Sequence, residues 1–569
     1  METRTCQNCN ENFVIEPEDF EFYEKIKVPP PTWCPECRRW RRMFFQNERG
    51  IRKTSCALCG QTTLSMFNDK VPHVAYCHSC WWGDKWDALN FGRDYDDKVS
   101  FWNQFFELFR TTPTPAVSNE NPINSDYVNH TSNAKNCYLI FFSGTPLPNE
   151  DCYYSYRIDG CRGCIDTAYT TQSEDCYELM DGTKCNKVQF GRYVEETFDS
   201  MFLDDCKNCS DCFGCSKLRN RNHCIYNEQY SKADYERERS KIDLGSYANL
   251  ENFKMAFAEF NAKTPKRFAN IIKSENCTGD NITGCKNCRD CYVIKNSEDS
   301  RFAEMCPGGV RDCYDLRIAR GEQLYEDFAV LRSSNVYFSV ICLDSKNVQY
   351  SYFMINCSDC FGCVGLKNKQ FCILNKQYAE EEYRSLLPRI IANMNGLPYT
   401  GKNGAVYKYG EFFPLDESPY LYYDTPANEV LPLSKEEVIL RGLNLDDELS
   451  RNYKVTVAKG NIPDHIRDVP DSITNEILEC AHKGQCLHRC ATAFRITPFE
   501  LAYYKKFNLA LPTICSNCRH YERIKSRNPL KLWHRKCMNV GCQNEFETSY
   551  SPDRPEIIYC ESCYQQEVV

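Results

Sequence analysis

The central part of the chain repeats a pattern of small apolar and polar positions with a fixed 24-residue period. The clearest column of this pattern consists of Cys137, Cys161, Cys185 and Cys209. Short β-prone segments follow the columns, and Asp, Asn, Gly and Lys separate them as turn residues do. Such a period is typical of a solenoid, in which equivalent positions stack from coil to coil. The pattern therefore predicts a parallel β-helix-like solenoid with 24-residue coils.

The solenoid pattern occurs twice along the chain. The segment 209–215, with the sequence Cys-Ser-Asp-Cys-Phe-Gly-Cys, returns unchanged at 357–363. The residues between the two blocks are polar, with apolar residues at helical spacing. We place the first half of the solenoid at 131–230, a helical insertion at 231–276 and the second half at 277–380.

Paired cysteines dominate the segment 1–85. Each Cys-x2-Cys pair forms a tight knuckle with both sulfurs on one side, so two such pairs complete a tetrahedral four-thiolate zinc site. The first predicted ligand set is Cys6, Cys9, Cys34 and Cys37, and the second is Cys56, Cys59, Cys77 and Cys80. We predict a double zinc-ribbon or treble-clef module in this segment.

The end of the chain repeats this arrangement. The interval from Cys490 to Cys515 has the same length as the interval from Cys9 to Cys34. This match favours a third set of Cys486, Cys490, Cys515 and Cys518, and a fourth set of Cys537, Cys542, Cys560 and Cys563. Cys480 and His482 lie just before the third set and are alternative ligands. The prediction is a second double module at 480–569 and about four zinc ions in the whole chain.

Two further segments connect these units. Residues 86–130 are rich in aromatic side chains, and the spacing from Phe101 to Phe109 predicts a helix. This helix either packs the first module against the solenoid or forms an aromatic binding surface. Residues 381–479 are predicted to be an extended linker with short helices, one of them capped by Ser434. The whole chain is thus predicted to be multidomain and mainly β.

Composition restricts the environment of the protein. Of its 569 residues, 42% are apolar and 26% are charged, as in ordinary soluble globular proteins. The chain shows no apolar run of membrane-spanning length and no signal peptide. It contains 39 cysteines and 9 histidines, and thiols stay reduced in the cytoplasm. We therefore expect a cytoplasmic protein without membrane contact.

The terminal cysteine pattern resembles a known domain. The motif Cys-x2-Cys-x3-Phe-x-Ile-x-Pro, followed by Pro-Pro-x2-Cys-Pro-x-Cys-Arg, is similar to the small bacterial domain called probable zinc-ribbon. The similarity covers residues 6–42 and, with a Cys-x3-Cys departure, residues 486–523. The layout of nearly the whole chain resembles cysteine-rich zinc-ribbon proteins of candidate-phyla-radiation bacteria. Both resemblances imply a zinc protein and bring no established activity.

Two dense cysteine runs in the solenoid leave alternatives open. One consists of Cys206, Cys209, Cys212 and Cys215, and the other of Cys285, Cys288 and Cys291. The first run is similar to a ferredoxin motif but lacks its last spacing and its proline. We interpret both runs as core thiols, and an additional soft-metal site or an iron–sulfur cluster is the alternative.

Positive charge is concentrated between the two ligand sets of each terminal module. The segments 38–53 and 519–536 each hold seven Lys or Arg residues and one Glu, whereas the whole chain has a net charge of -9. Such segments are typical of phosphate-backbone binding. The candidate nucleic-acid contacts are Arg38, Arg39, Arg41, Arg42, Arg519, Arg523, Lys525 and Arg527. The alternative is that these residues pair with acidic residues of this chain or of a protein partner.

The sequence contains none of the common catalytic motifs, such as H-E-x-x-H, G-x-S-x-G or a P-loop. We therefore predict a zinc-binding structural or interaction scaffold with a protein partner and without enzymatic activity. An RNA- or DNA-binding protein acting through the two basic segments is the alternative. A third hypothesis is an iron–sulfur or thiol redox protein.

Overall fold

The computed structural model describes residues 1–143, 147–445 and 453–568. It confirms a multidomain, mainly β fold with a solenoid in two halves between cysteine-rich modules. The α-helices of the described residues are Pro17–Lys25, Pro35–Met43, His78–Trp82, Phe101–Thr111, Lys232–Arg239, Tyr247–Ala262, Glu380–Gly396, Ala427–Val430, Lys435–Leu440, Pro498–Phe507, Ser516–Lys525 and Glu561–Glu567.

The first solenoid half is a stack of parallel strands that begins upstream of residue 131 and ends in an antiparallel hairpin. Its strands are Asn119–Glu120, Asn129–Ser132, Ala134–Lys135, Phe141–Ser143, Asn149–Glu150, Tyr156–Asp159, Ala168–Thr171, Tyr177–Met180, Asn186–Arg192, Phe198–Asp204, Ser210–Ser216, Asn222–Ile225 and Glu228–Gln229.

The second half has the same construction and also ends in an antiparallel hairpin. Its strands are Ile271–Ile272, Gly279–Thr283, Cys291–Lys295, Arg301–Cys306, Val310–Arg311, Tyr314–Tyr337, Val340–Leu343, Lys346–Gln349, Tyr352–Ile355, Ser358–Phe361, Gln370–Ile373 and Lys376–Gln377. The predicted helical insertion between the halves contains the helices Lys232–Arg239 and Tyr247–Ala262.

The solenoid is built mainly from 12-residue coils, with a few coils of 11, 13 or 15 residues, so the predicted 24-residue coil is wrong. Parallel partners such as Cys212 and Cys224 lie 12 positions apart. The backbone N–H of Cys185 donates to the Oγ of Ser173, which lies in the preceding coil, at 3.1 Å. Cys161, Cys185 and Cys209 therefore occupy one inward position in every second coil, and Ser173 and Thr197 take this position in the coils between them. The prediction that Cys137 belongs to this column is wrong, because the coil after it is 15 residues long and Cys137 stacks on Cys152 instead.

Sharp corners explain how so short a segment closes a coil. From Asp151 to Tyr226, every third residue has a left-handed backbone with φ between 45° and 69°. A non-glycine residue rarely adopts this conformation, and Asp and Asn adopt it most readily. Four such corners divide each coil into sides of three residues. From Cys152 to Leu218 the residue after each corner is buried, which leaves a narrow core whose side chains are no larger than Leu or Ile.

Thiols line much of this narrow core. The Sγ of Cys161 lies 3.3 Å from the carbonyl oxygen of Thr170, and the Sγ of Cys164 lies 3.5 Å from that of Ser173. Cysteine suits these positions because it is a small hydrophobic residue with a weak hydrogen-bond donor. The four cysteines of the run 206–215 occupy the four sides of one coil. In the described chain, neither this run nor the run 285–291 supplies sulfurs to a group of metal-binding geometry.

Each of the four cysteine sets lies between a β-hairpin and a helix. The hairpins are Glu2–Thr5 with Asn12–Ile15, Arg52–Ser55 with Thr62–Ser65, Leu478–Glu479 with Ala493–Phe494, and Trp533–Lys536 with Glu545–Thr548. The helices that follow begin directly after the third ligand of each set, at Pro35, His78, Ser516 and Glu561. Smaller sheets pair Ala75–Tyr76 with Thr114–Pro115, Lys266–Arg267 with Ile558–Tyr559, and Tyr399–Thr400 with Val406–Tyr407.

The two modules pack on the solenoid halves in a crossed order. The first module contacts the second half, where Phe22 stacks on Tyr314 with ring centroids 4.0 Å apart. The second module contacts the first half, where Phe499 stacks on Tyr153 at 4.5 Å. Each module thus packs on the solenoid half that is more distant from it in the sequence, and it also contacts the nearer half, through Glu48 with Arg157 and through Ser549 with Asp280.

The two connecting segments fill the space around this assembly. The aromatic helix Phe101–Thr111 is present, and Phe101 packs edge-on against Phe361 of the second solenoid half at 5.2 Å. The described part of the segment 381–479 contains the helix Lys435–Leu440 with its capping box at Ser434. Many of its aromatic residues are fully buried, such as Tyr407 and Phe412.

Candidate metal centres

Three of the four predicted ligand sets come together in the structure. In each set, all four sulfur atoms lie within 4.8 Å of one another. These sets are Cys6, Cys9, Cys34 and Cys37 in the first module, Cys56, Cys59, Cys77 and Cys80 in the same module, and Cys537, Cys542, Cys560 and Cys563 in the second module.

The third set differs from the prediction in one ligand. The sulfurs that meet are those of Cys480, Cys490, Cys515 and Cys518. Cys486, which the spacing match favoured, lies outside this set and has its Sγ 3.8 Å from that of Cys518. The alternative ligand Cys480 therefore takes the position that was assigned to Cys486.

A shared backbone contact shows that Cys480 is the equivalent of Cys6. In every set the N–H of the third ligand donates to the sulfur of the first ligand, at 3.2 to 3.3 Å. The hairpin strand Leu478–Glu479 precedes Cys480 as Glu2–Thr5 precedes Cys6. The sequence signal for this ligand was the short β-prone segment Ile477-Leu478-Glu479, because the first knuckle always follows a strand.

In two of the sets, hydrogen bonds lower the pKa of one thiol and so favour its thiolate form, which is the form that binds metals. Burial opposes ionisation of the Cys56 thiol, but backbone N–H groups of Cys59 and Cys77 donate to it and lower its pKa to about 6. Burial also opposes ionisation of Cys560, whereas hydrogen bonds from Ser562 and Asn544 lower its pKa to about 6. The last two ligands of each set lie at the beginning of a helix, where the helix dipole stabilises negative charge.

The arginines of the first module are buried against acidic residues of the second solenoid half. Arg38 and Arg42, one turn apart on the helix Pro35–Met43, both pair with Asp315 at 2.7 and 3.2 Å. Arg41 pairs with Glu326 at 2.8 Å and with Glu411 of the connecting segment at 2.7 Å. Burial alone would raise the pKa of Asp315, but Arg38 and Arg42 hold it below its usual value.

The second module repeats this contact on the first solenoid half. Arg519 and Arg523, again one turn apart, both pair with Asp166 at 2.8 and 2.7 Å. Arg519 also lies 3.5 Å from Glu500 of its own module. Asp166 and Asp315 both occupy left-handed corners of a solenoid coil. Two helices with the same arginine spacing therefore hold two equivalent corners.

Most of the eight candidate nucleic-acid contacts are buried, which favours the alternative that they pair with acidic residues of this chain. Six arginines are at most 8% exposed, namely Arg38, Arg39, Arg41, Arg42, Arg519 and Arg523. Arg527 is half-buried, with its guanidinium 3.7 Å from the ring centre of Tyr169, and Lys525 is exposed. The pairing acids were not identified from the sequence, because an Asp at a turn position gives no signal of a distant arginine.

A cleft of about 2090 Å³ separates the two solenoid halves. Arg157 and Arg192 line it from the first half, Arg320 and Arg332 from the second, and Arg554 from the second module. Its lining holds twelve Lys or Arg residues and nine Asp or Glu residues, so both signs of charge face the space.

Among the described residues, none of the helices combines the length and apolar character that crossing a bilayer requires. A scan against protein-family models and a search of curated proteins both give no match to this chain.

Proposed function

We propose that this chain is a zinc-binding structural scaffold of the cytoplasm that binds a protein partner. The main support for this proposal is the distance between the sulfur atoms of each set. Each of the four sets contains a sulfur pair that is 3.6 to 3.9 Å apart. Four thiolates around zinc, with Zn–S bonds of about 2.3 Å, form a tetrahedron with edges of about 3.8 Å. Because four protein sulfurs leave no position for water or substrate, the sites suit a structural role rather than catalysis.

Each set has the elements of a treble-clef zinc site. A hairpin knuckle supplies the first two ligands, and the beginning of a helix supplies the other two. In such small modules the metal supplies much of the folding free energy. We infer that the ions fix the helices Pro35–Met43 and Ser516–Lys525, whose arginines then hold the solenoid halves together.

The state of the cysteines supports the cytoplasm as the compartment. No two cysteines of the described chain form a disulfide, and most of those inside the solenoid are buried. Thiol ligands and buried free thiols persist where the medium is reducing. The cleft between the solenoid halves is the proposed place for the protein partner, since its mixed charges suit a protein surface better than a polyanion.

Burial of six arginines removes the main support for nucleic-acid binding. An arginine must reach a phosphate to contribute to such binding. Here the guanidinium groups of Arg38, Arg41 and Arg42 are already occupied by carboxylates. We expect affinity-purified protein to keep its partner after nuclease treatment, and loss of the partner would favour the nucleic-acid alternative.

Metal analysis of single-ligand variants tests the proposal. Relative to the unmodified chain, Cys9→Ser, Cys59→Ser and Cys542→Ser should each lose one zinc ion, because each removes one of four ligands. Cys161→Ser, which alters a solenoid thiol outside every ligand set, should lose none. Unchanged zinc content in the ligand variants would contradict the proposal. Iron in place of zinc would favour the hypothesis of an iron–sulfur or thiol redox protein.

A further inference from the structure

The third cysteine set differs from the others in its first knuckle. In the other sets, two or four residues separate the first two ligands, whereas nine residues separate Cys480 from Cys490. The additional residues include three with side chains that bind metals, namely His482, Cys486 and His488. The four-sulfur set is complete without them. The insertion therefore places new donors beside a site that does not need them.

These three side chains converge on a sulfur of the neighbouring set. One donor atom from each, together with the Sγ of Cys518, forms a group within 4.8 Å. The sulfurs of Cys486 and Cys518 are 3.8 Å apart. Cys518 also lies 3.9 Å from Cys480 in the four-sulfur set. One sulfur is therefore common to both groups.

Two buried nitrogens in this group have no hydrogen-bond partner. They are the Nδ1 atoms of His482 and His488. The Nε2 of His482 lies 3.5 Å from the carboxylate of Glu522, and the ring of His488 stacks on Tyr521 with 13° between the planes. A metal-bound imidazole commonly has its second nitrogen on a carboxylate, which orients the ring. An unpaired buried nitrogen is unfavourable, and a metal ion would satisfy both.

We propose that the insertion binds an additional zinc ion through His482, Cys486, His488 and the thiolate of Cys518, which bridges this ion and the ion of the four-sulfur set. Two imidazoles and two thiolates are a typical zinc environment. Sharing also lowers the local charge, because five thiolates around two Zn²⁺ ions leave one formal negative charge, whereas four around one ion leave two. Since Cys518 is shared, the inference rests on the proposed four-cysteine site.

Zinc content of the full chain, purified under reducing conditions and saturated with zinc, tests the additional site. The unmodified chain should hold five ions, and the double variant His482→Ala/His488→Ala should hold four. Gln485→Ala, an exposed position of the same insertion, should hold five. Four ions in both the unmodified chain and the double variant would overturn the additional site and leave the four-cysteine sites intact. Fewer than four ions in the unmodified chain, with the same number in the double variant, would overturn both the additional site and the four-cysteine sites.

Single-ligand variants test the bridge separately. Cys486→Ser should lose one ion, whereas Cys518→Ser should lose two, because it removes a ligand from both ions. Loss of only one ion in Cys518→Ser would overturn the shared thiolate. Replacement of zinc by Co²⁺ gives a second readout, since the cobalt absorption of mixed imidazole–thiolate ligation should vanish in the double histidine variant. Glu522→Gln should weaken the binding of the fifth ion by about 10- to 100-fold.

Discussion

At the scale of single residues, sulfur and hydroxyl groups share the inner wall of the solenoid. In the column of Cys161, successive coils alternate Cys with Ser, Thr or Asn, as Cys161 and Ser173 show. The Ser173 hydroxyl donates to the carbonyl of Thr171 at 2.9 Å, while its oxygen accepts the N–H of Cys185 at 3.1 Å. The wall therefore offers hydrogen-bond partners to a thiol and to a hydroxyl alike.

A serine in an apolar core usually costs about 1–3 kcal/mol, because its hydroxyl lacks a partner. Cys161→Ser should cost less than about 1 kcal/mol, since the carbonyl of Thr170 already faces the sulfur at 3.3 Å. Cys161→Leu should destabilise the fold by about 1–3 kcal/mol, because the narrow core has no room for the larger side chain. Chemical denaturation compares the two variants, and equal losses would contradict this account of the core.

At the scale of elements, one helix face of each module supplies buried ion pairs to a solenoid half. The spacing of four residues places Arg38 and Arg42 on the same side of their helix, as it does Arg519 and Arg523. Each pair meets one Asp at a solenoid corner. Removing one partner of a buried ion pair leaves an uncompensated charge, so these contacts are sensitive to substitution.

Arg41→Ala should lower the free energy of unfolding by about 3–5 kcal/mol, because it leaves Glu326 and Glu411 buried with less compensation. A matched control is Arg311→Ala, which removes an arginine whose pairing with Glu322 is at the surface. The control should leave the unfolding curve unchanged. Similar curves for both variants would show that burial of the Arg41 pairs does not matter for stability.

Features formed by residues close together in the sequence could be predicted, whereas features that join distant residues could not. Cys6 and Cys9 form one knuckle, so spacing alone predicted their role, whereas the insertion before Cys490 separated Cys480 from its set. The predicted coil was twice too long because the column of Cys161, Cys185 and Cys209 carries cysteine only in alternate coils. The contact of Arg38 with Asp315 joins residues 277 positions apart. Sequence patterns of one segment contain no information on such a contact.

At the scale of the whole molecule, the stability of the assembly depends on the metal sites and on the arginine contacts together. The ligand sets hold hairpin and helix together within each module, and the helices attach the modules to the solenoid halves. The segment 381–479 joins both modules, because Asp424 pairs with Arg52 of the first and Arg489 of the second. Loss of metal should therefore loosen the assembly as well as the modules.

Limited digestion with trypsin tests this coupling. In the zinc-loaded protein, the chain at Arg38, Arg41 and Arg519 should resist cleavage, because these side chains are buried. A chelator under reducing conditions should expose them, and mass spectrometry should detect cleavage there before cleavage inside the solenoid. Exposed Lys232 serves as a reference site that is open in both states. Unchanged protection after complete metal removal would contradict the coupling.

The crossed packing also has a consequence during synthesis. Arg38 precedes Asp315 by 277 residues, which a ribosome adds in about 14–55 s at about 5–20 residues per second. The ligands of the first module all lie between Cys6 and Cys80, so its sulfurs meet long before its docking surface exists. For tens of seconds the arginines of the helix Pro35–Met43 lack the carboxylate partners that later bury them, because Asp315, Glu326 and Glu411 are not yet synthesised. The same side chains thus have an aqueous environment early in their lifetime and a buried one afterwards.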